Sequence, residues 1–241
     1  MKKGLILIAL VLLSFNCFAQ YETETHIAWQ PNVKLTFDMF QKSEPTETDL
    51  KGMQSDNRSS VPYLGFYRAL DVPKKRNGWK KGQFEKAYFC ATFSKFLSYM
   101  AERDTFDLQL AQAQWDILEL ATRKSRAMLA DLQHRFDSIS NGPTSGIVSL
   151  FYETAYQEGY DFFTQASYIF LKEVVVPRDK EQFLMHREEL DNLLEEMADY
   201  ATTPEEAERL LYGKPLEKYL TPAKTFIGDL RNKSVSTSSN K

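Results

Sequence analysis

Between residues 106 and 136, small and apolar positions recur at alternating steps of four and three: Ala111, Trp115, Leu118, Thr122, Ser125, Leu129, Leu132 and Phe136. The span holds no Gly or Pro, so it predicts one long amphipathic helix, closed by Asn141-Gly142-Pro143. A second helix is expected over 145–174, dense in aromatics: Phe151, Tyr152, Tyr156, Tyr160, Phe163 and Phe170. A third, over 180–200, carries Leu184, Leu190, Leu193, Leu194 and Met197 on its apolar side. Thr203-Pro204-Glu205-Glu206 reads as a capped helix start, and Gly213 as its stop.

Ahead of residue 94 the rhythm changes. Ile27-Ala28-Trp29 reads as a strand and Gln30-Pro31-Asn32 as a turn. Residues 35–40 suggest a strand end leading into one helical turn. Residues 43–60 are polar and read as a long loop, while 61–70 and 84–93 are aromatic, β-prone strands. The pattern therefore predicts an α+β fold. A small antiparallel sheet packs on a long helix, and the C-terminal half is mainly helical. Residues 20–140 form the first part, 141–230 a helical part of the same or an appended domain, and 231–241 a disordered tail.

Lys2 and Lys3 precede an apolar run over 5–13, and Cys17-Phe18-Ala19-Gln20 follows. A basic start, a short apolar core and a small residue read as a secretory signal over 1–19, cleaved after Ala19. A rival reading makes Cys17 the anchor of a lipoprotein, although Asn16 is a poor neighbour for that processing. Removing Lys2 and Lys3 from the 30 basic residues leaves 28 against 33 acidic ones, shifting the formal charge from −3 to −5. Such a balance disfavours nucleic-acid binding by a broad basic face. The exception is Lys74-Lys75-Arg76-Asn77-Gly78-Trp79-Lys80-Lys81-Gly82, which reads as a solvated hairpin or loop, with an acidic partner or lipid headgroups as the alternative. After cleavage Cys90 is the one cysteine left, so the core must stabilise the chain without an internal disulfide. Its apolar neighbours make it a buried small hydrophobe rather than a reactive thiol.

The order of several segments resembles a known family. Leu35-Thr36-Phe37-Asp38-Met39-Phe40 is similar to an L-T-W-x-D-F segment, and Ser59-Ser60-Val61-Pro62-Tyr63 to a small-residue stretch before a strand. A strand over 87–93 and a connector then lead to Gln114-Trp115-Asp116-Ile117-Leu118-Glu119-Leu120 and Arg123-Lys124. This arrangement resembles the bacterial secreted proteins grouped as domain of unknown function 922, predicted zinc-dependent proteases, in which H-E-x-G-H-F-D-I-x-E and a basic pair stand here. The resemblance covers about 27–132.

In such a motif two His at i and i+4 share a helix face and reach one Zn²⁺, and the Glu between them serves as general base. The resemblance places Leu110 at the first His, Ala111 at the Glu and Gln114 at the second His. Leu offers no lone pair, Ala takes no proton, and a Gln amide is a weak ligand. Trp115 replaces Phe, whereas Asp116 and Glu119 are retained. Tyr156 falls at the place of a further His ligand.

The chain's 3 histidines do not restore a site. His26, His134 and His186 share no ligand spacing, and His134 lies about 30 Å from Gln114 at about 1.5 Å per helical residue. His186-Arg187-Glu188-Glu189-Leu190 ends in Leu where an inverted H-x-x-E-H motif needs His. No Gly-rich phosphate loop or G-x-S-x-G elbow is present. Asp116 and Glu119 share a helix face, an arrangement common on solvated helices.

These readings converge on an exported, catalytically silent protease relative with no metal and no cofactor. It would bind an unidentified protein or peptide of the cell envelope through a cleft lined by Gln114, Trp115, Asp116, Glu119 and Tyr156. Nucleic acid is not an expected partner, and the mature chain has no expected transmembrane span. Two rivals stand beside it. One is an active metal-dependent hydrolase with an unrecognised site. The other is a structural envelope protein using the aromatic helix surface around residues 152–163.

Overall fold

A computed structural model describes residues 21–75 and 77–223. The expected signal over 1–19 and tail over 231–241 lie outside the described residues.

The fold is α+β. Strands β1 (His26–Ala28), β3 (Leu64–Pro73), β4 (Lys86–Ser94) and β6 (Leu220–Pro222) form an antiparallel sheet in the order β1-β4-β3-β6. Leu64 of β3 pairs with Phe93 of β4, and Asp71 with Lys86. The strand expected over 61–70 is broken at Pro62, which has no N–H for a ladder. Its first residues form β2 (Ser60–Val61), which pairs with β5 (Tyr99–Met100) in a second small sheet.

The polar stretch expected as a loop over 43–60 contains a helix, α1 (Glu47–Ser55). Thr46 accepts from the Asp49 N–H, and Asp49 accepts from the Thr46 N–H. This reciprocal cap forms a helix without an apolar stripe.

The long helix is α2 (Thr105–Ser140), and α3 (Ile147–Phe170) runs back along it. Asn141 ends α2 in a left-handed conformation, with φ 58°. A π-helical turn (Leu171–Val175) extends α3, and α4 (Lys180–Glu196) and α5 (Pro204–Tyr212) follow. On the apolar side expected for the third helix, Leu184 is the position that fails. Leu184 is 66% exposed, while Phe183 and Leu190 are buried and Leu193, Leu194 and Met197 pack partly against them. The buried stripe runs through Phe183, and Leu184 sits about 100° further round the helix.

Strand alternation divides the core. Phe89, Ala91 and Phe93 face Trp115, Leu118 and Tyr152 of the α2–α3 pair. Cys90 points to the other side with Ala28 and packs with Ala207 of α5. The sheet is therefore covered on both faces. Fully burying each large apolar side chain contributes about 1.5–3 kcal/mol relative to exposure. Residues 141–223 pack into this body, since β6 extends the sheet and α5 covers its back. Among the described residues no helix is long and apolar enough to cross a membrane.

Candidate functional site

Helix α2 starts where Asp104 accepts from the Phe106 N–H at 2.7 Å. Two apolar stripes run along it. Ala111, Trp115, Leu118 and Leu129 face the sheet and α3. Phe106, Leu110, Ala113, Ile117 and Leu120 face the π-helical turn and α4. Positions 110 and 111 thus lie in different clusters. Leu110 is buried among Phe170, Val174, Val175 and Phe183, and Ala111 is buried on the sheet side. Gln114 is half-buried. Of the three positions at which the resemblance sets a zinc ligand, a base and a second ligand, Leu110 and Ala111 are thus enclosed by packing, and Gln114 is half-buried.

The remaining expected binding residues face inward. Trp115 is fully buried with its ring centroid 5.9 Å from that of Phe93. Asp116 is buried and accepts from Trp29 Nε1 at 2.6 Å, Gln112 Nε2 at 2.9 Å and Arg187 Nη1 at 2.6 Å. It therefore joins the first strand region to α2 and α4. Gln112 in turn accepts from the Leu35 N–H at 2.8 Å.

Glu119 is fully buried and joins α2 to the chain ahead of α5. It accepts the Thr202 N–H at 2.9 Å, the Thr202 hydroxyl at 2.7 Å and Arg123 Nε at 3.0 Å. Arg126 adds bonds to Glu206 at 2.7 Å and to the carbonyls of Tyr200 and Phe89, both at 2.6 Å. Burial opposes the Arg126 charge, but Glu119 and Glu206 outweigh it and raise its pKa. Burial pushes the Glu206 carboxyl up despite Arg126. Asp116 and Glu119 are therefore structural connectors, and the groove expected over residues 114–119 is closed by their own partners.

Tyr156 belongs elsewhere. It packs 4.9 Å from the Phe66 ring, and the Arg68 guanidinium lies 3.6 Å from its ring centroid. It sits on α3 at the level where Ser125 donates to the Ala155 carbonyl at 2.7 Å. Ser125 is about 16 Å along α2 from Gln114 at about 1.5 Å per residue. The structure does not bring Tyr156 to Gln114. Tyr152 is buried, and Phe151, Tyr156, Tyr160 and Phe163 are partly buried, so the aromatic stripe is largely core rather than an open patch.

One groove does open over Ala113 and Ile117 of α2, and sequence reasoning missed it. It lies between α2, α3 and α4, with a volume of about 180 Å³, over Ala113, Ile117, Phe162, Ile169 and Leu193. His186 and Arg187 stand at its edge. His186 bonds Glu173 at 2.8 Å, and Arg187 spans Asp116 and Asp191 at 2.6 Å each. The groove is thus mainly apolar, and the imidazole and guanidinium at its edge face carboxylates of the same chain. A helical stripe one turn beyond Leu110 was a signal for it, but the position of α4 was not readable.

The remaining chemistry is sparse. His26 bonds Thr25 at 2.9 Å, and His134 is exposed on α2. Burial pushes the Cys90 thiol far above its ordinary range, so it is not a ready nucleophile. Among the described residues no three His, Cys, Asp or Glu side chains gather as a metal site would require. Compared with family models, curated proteins and solved structures, the chain matches none.

Proposed function

We propose that this chain is a catalytically silent relative of the secreted zinc-dependent proteases it resembles, and that it acts in the cell envelope by binding. One observation carries the reading. Along a single helix, the residues that would do chemistry are Leu110, Ala111 and Gln114, whereas Asp116, Glu119 and Arg123 remain and hold the fold together. Loss confined to reagent positions is what release from catalysis with retention of the scaffold would leave. The analogy rests on the order of motifs along the sequence.

The binding role falls to the apolar groove between α2, α3 and α4. At about 180 Å³ it is smaller than the roughly 300–1,000 Å³ of a typical small-molecule site. It suits one bulky apolar side chain of a protein or peptide partner. The test is a peptide-cleavage assay on the purified chain, with added Zn²⁺ and with a chelator. The expected outcome is background cleavage in both. Chelator-sensitive cleavage that tracks the purified chain would refute the reading.

A further inference from the structure

The turn joining β3 to β4 is charged unlike the rest of the chain. Residues 74–82 hold five of the 30 Lys and Arg residues and no Asp or Glu. With a formal charge of −3 overall, the rest of the chain sums to −8. Backbone bonds tie its described residues together. Gly78 N–H donates to the Lys75 carbonyl at 2.8 Å, and Gly82 N–H to that of Trp79 at 3.0 Å. A Cβ at Gly78 would approach Pro73 Cβ to 2.9 Å, so the close turn requires glycine. Its single helical turn (Gly78–Lys81) presents Trp79 at 48% exposure beside Lys80 and Lys81, both exposed.

The neighbouring chain reinforces the charge. Lys74 N–H donates to the Tyr219 carbonyl at 2.9 Å, which brings the exposed Lys218 alongside. The carboxylate in that strip, Glu217, is paired with Lys86. Lysines around an exposed indole form an amphipathic tip. Indole rings favour the headgroup level of a bilayer, and lysines are attracted to an anionic surface.

We propose that this turn docks the protein on an anionic lipid surface, with Trp79 among the headgroups and Lys75, Lys80 and Lys81 against their phosphates. A lipid surface fits better than a nucleic acid. A short basic turn at one end of a sheet can touch a flat surface, whereas a long polyanion would also run along the rest of the chain, whose formal charge is −8. The proposal goes beyond the silent-protease reading and does not depend on it.

The other two of the 3 Trp residues, Trp29 and Trp115, are buried, so Trp79 alone should respond to lipid. The test uses the protein as recovered from an exporting bacterial host, with its N-terminus read by mass spectrometry and shared by all variants. Vesicles of phosphatidylcholine with about one third phosphatidylglycerol are compared with phosphatidylcholine alone, by co-sedimentation and tryptophan emission. Anionic vesicles should shift the emission to the blue and sediment the protein, and added salt should reverse both. K80E/K81E should weaken binding at least tenfold, and W79A should weaken it and remove the shift, with circular dichroism unchanged. Equal binding to both vesicle types, or undiminished binding by the lysine variant, would overturn the proposal. So would binding of a DNA duplex without binding of anionic vesicles.

Discussion

Gly159 is buried in the middle of α3, where alanine would be about 1 kcal/mol better by helix propensity alone. Its presence has a packing reason. A Cβ there would press on Ser125 Oγ and come within 2.7 Å of the Ala121 carbonyl oxygen of α2. A helix backbone cannot step aside as a side chain can. Gly159→Ala should therefore destabilise the protein by about 2 kcal/mol, read as a lower urea midpoint at unchanged slope. A raised midpoint would mean that propensity wins and that α2 and α3 are not this close. The same proximity lets Ser125 bond across to Ala155, so the small residues of the predicted stripe mark a helix–helix seam. The stripe was legible in the sequence, but its partner was not, because Gly159 acquires its meaning only when α3 folds back.

Among the elements, the long ones were legible and the short ones were not. Helix α2 announces itself through repeated apolar spacing and an Asn-Gly-Pro stop. Strand β6 has three residues and is stabilised by its pairing with β3, which a local reading cannot see. Helix α1 was hidden for another reason: its signal is the cap, Thr46 with Asp49, rather than periodicity. Burial alone would raise the Asp49 carboxyl, but bonds from Lys42 and Thr46 outweigh it and lower its pKa from 3.8 to about 2. A lowered value means that the fold favours the ionised form. Its stabilisation is full above the ordinary carboxylate value and is lost as pH falls towards about 2. Carbon NMR of the Asp49 carboxyl should show a midpoint near the lower value, with the α1 amides moving in step. A midpoint at the ordinary value, with α1 indifferent, would show that the cap does not hold the helix.

At the scale of the molecule, charged side chains do the joining that disulfides do in many small domains. Asp116 and Glu119 tie α2 to α4 and to the chain before α5, and Arg209 of α5 grips Asp71 of β3 through two bonds of 2.6 and 2.7 Å. Truncating one member of such a buried pair typically costs about 3–5 kcal/mol. The candidate site was half legible for this reason. The residue types at 110, 111 and 114 are local and carry the proposal of a silent protease relative. That Asp116 and Glu119 are inward connectors depends on Arg187 and Thr202, more than 70 residues away along the chain. The central claim is that this scaffold has its shape without a metal. The most direct measurement is zinc content by mass spectrometry of the protein purified without chelator, followed by calorimetric titration with Zn²⁺. The account predicts zinc far below one equivalent and no saturable site. One tightly held zinc per chain would contradict it.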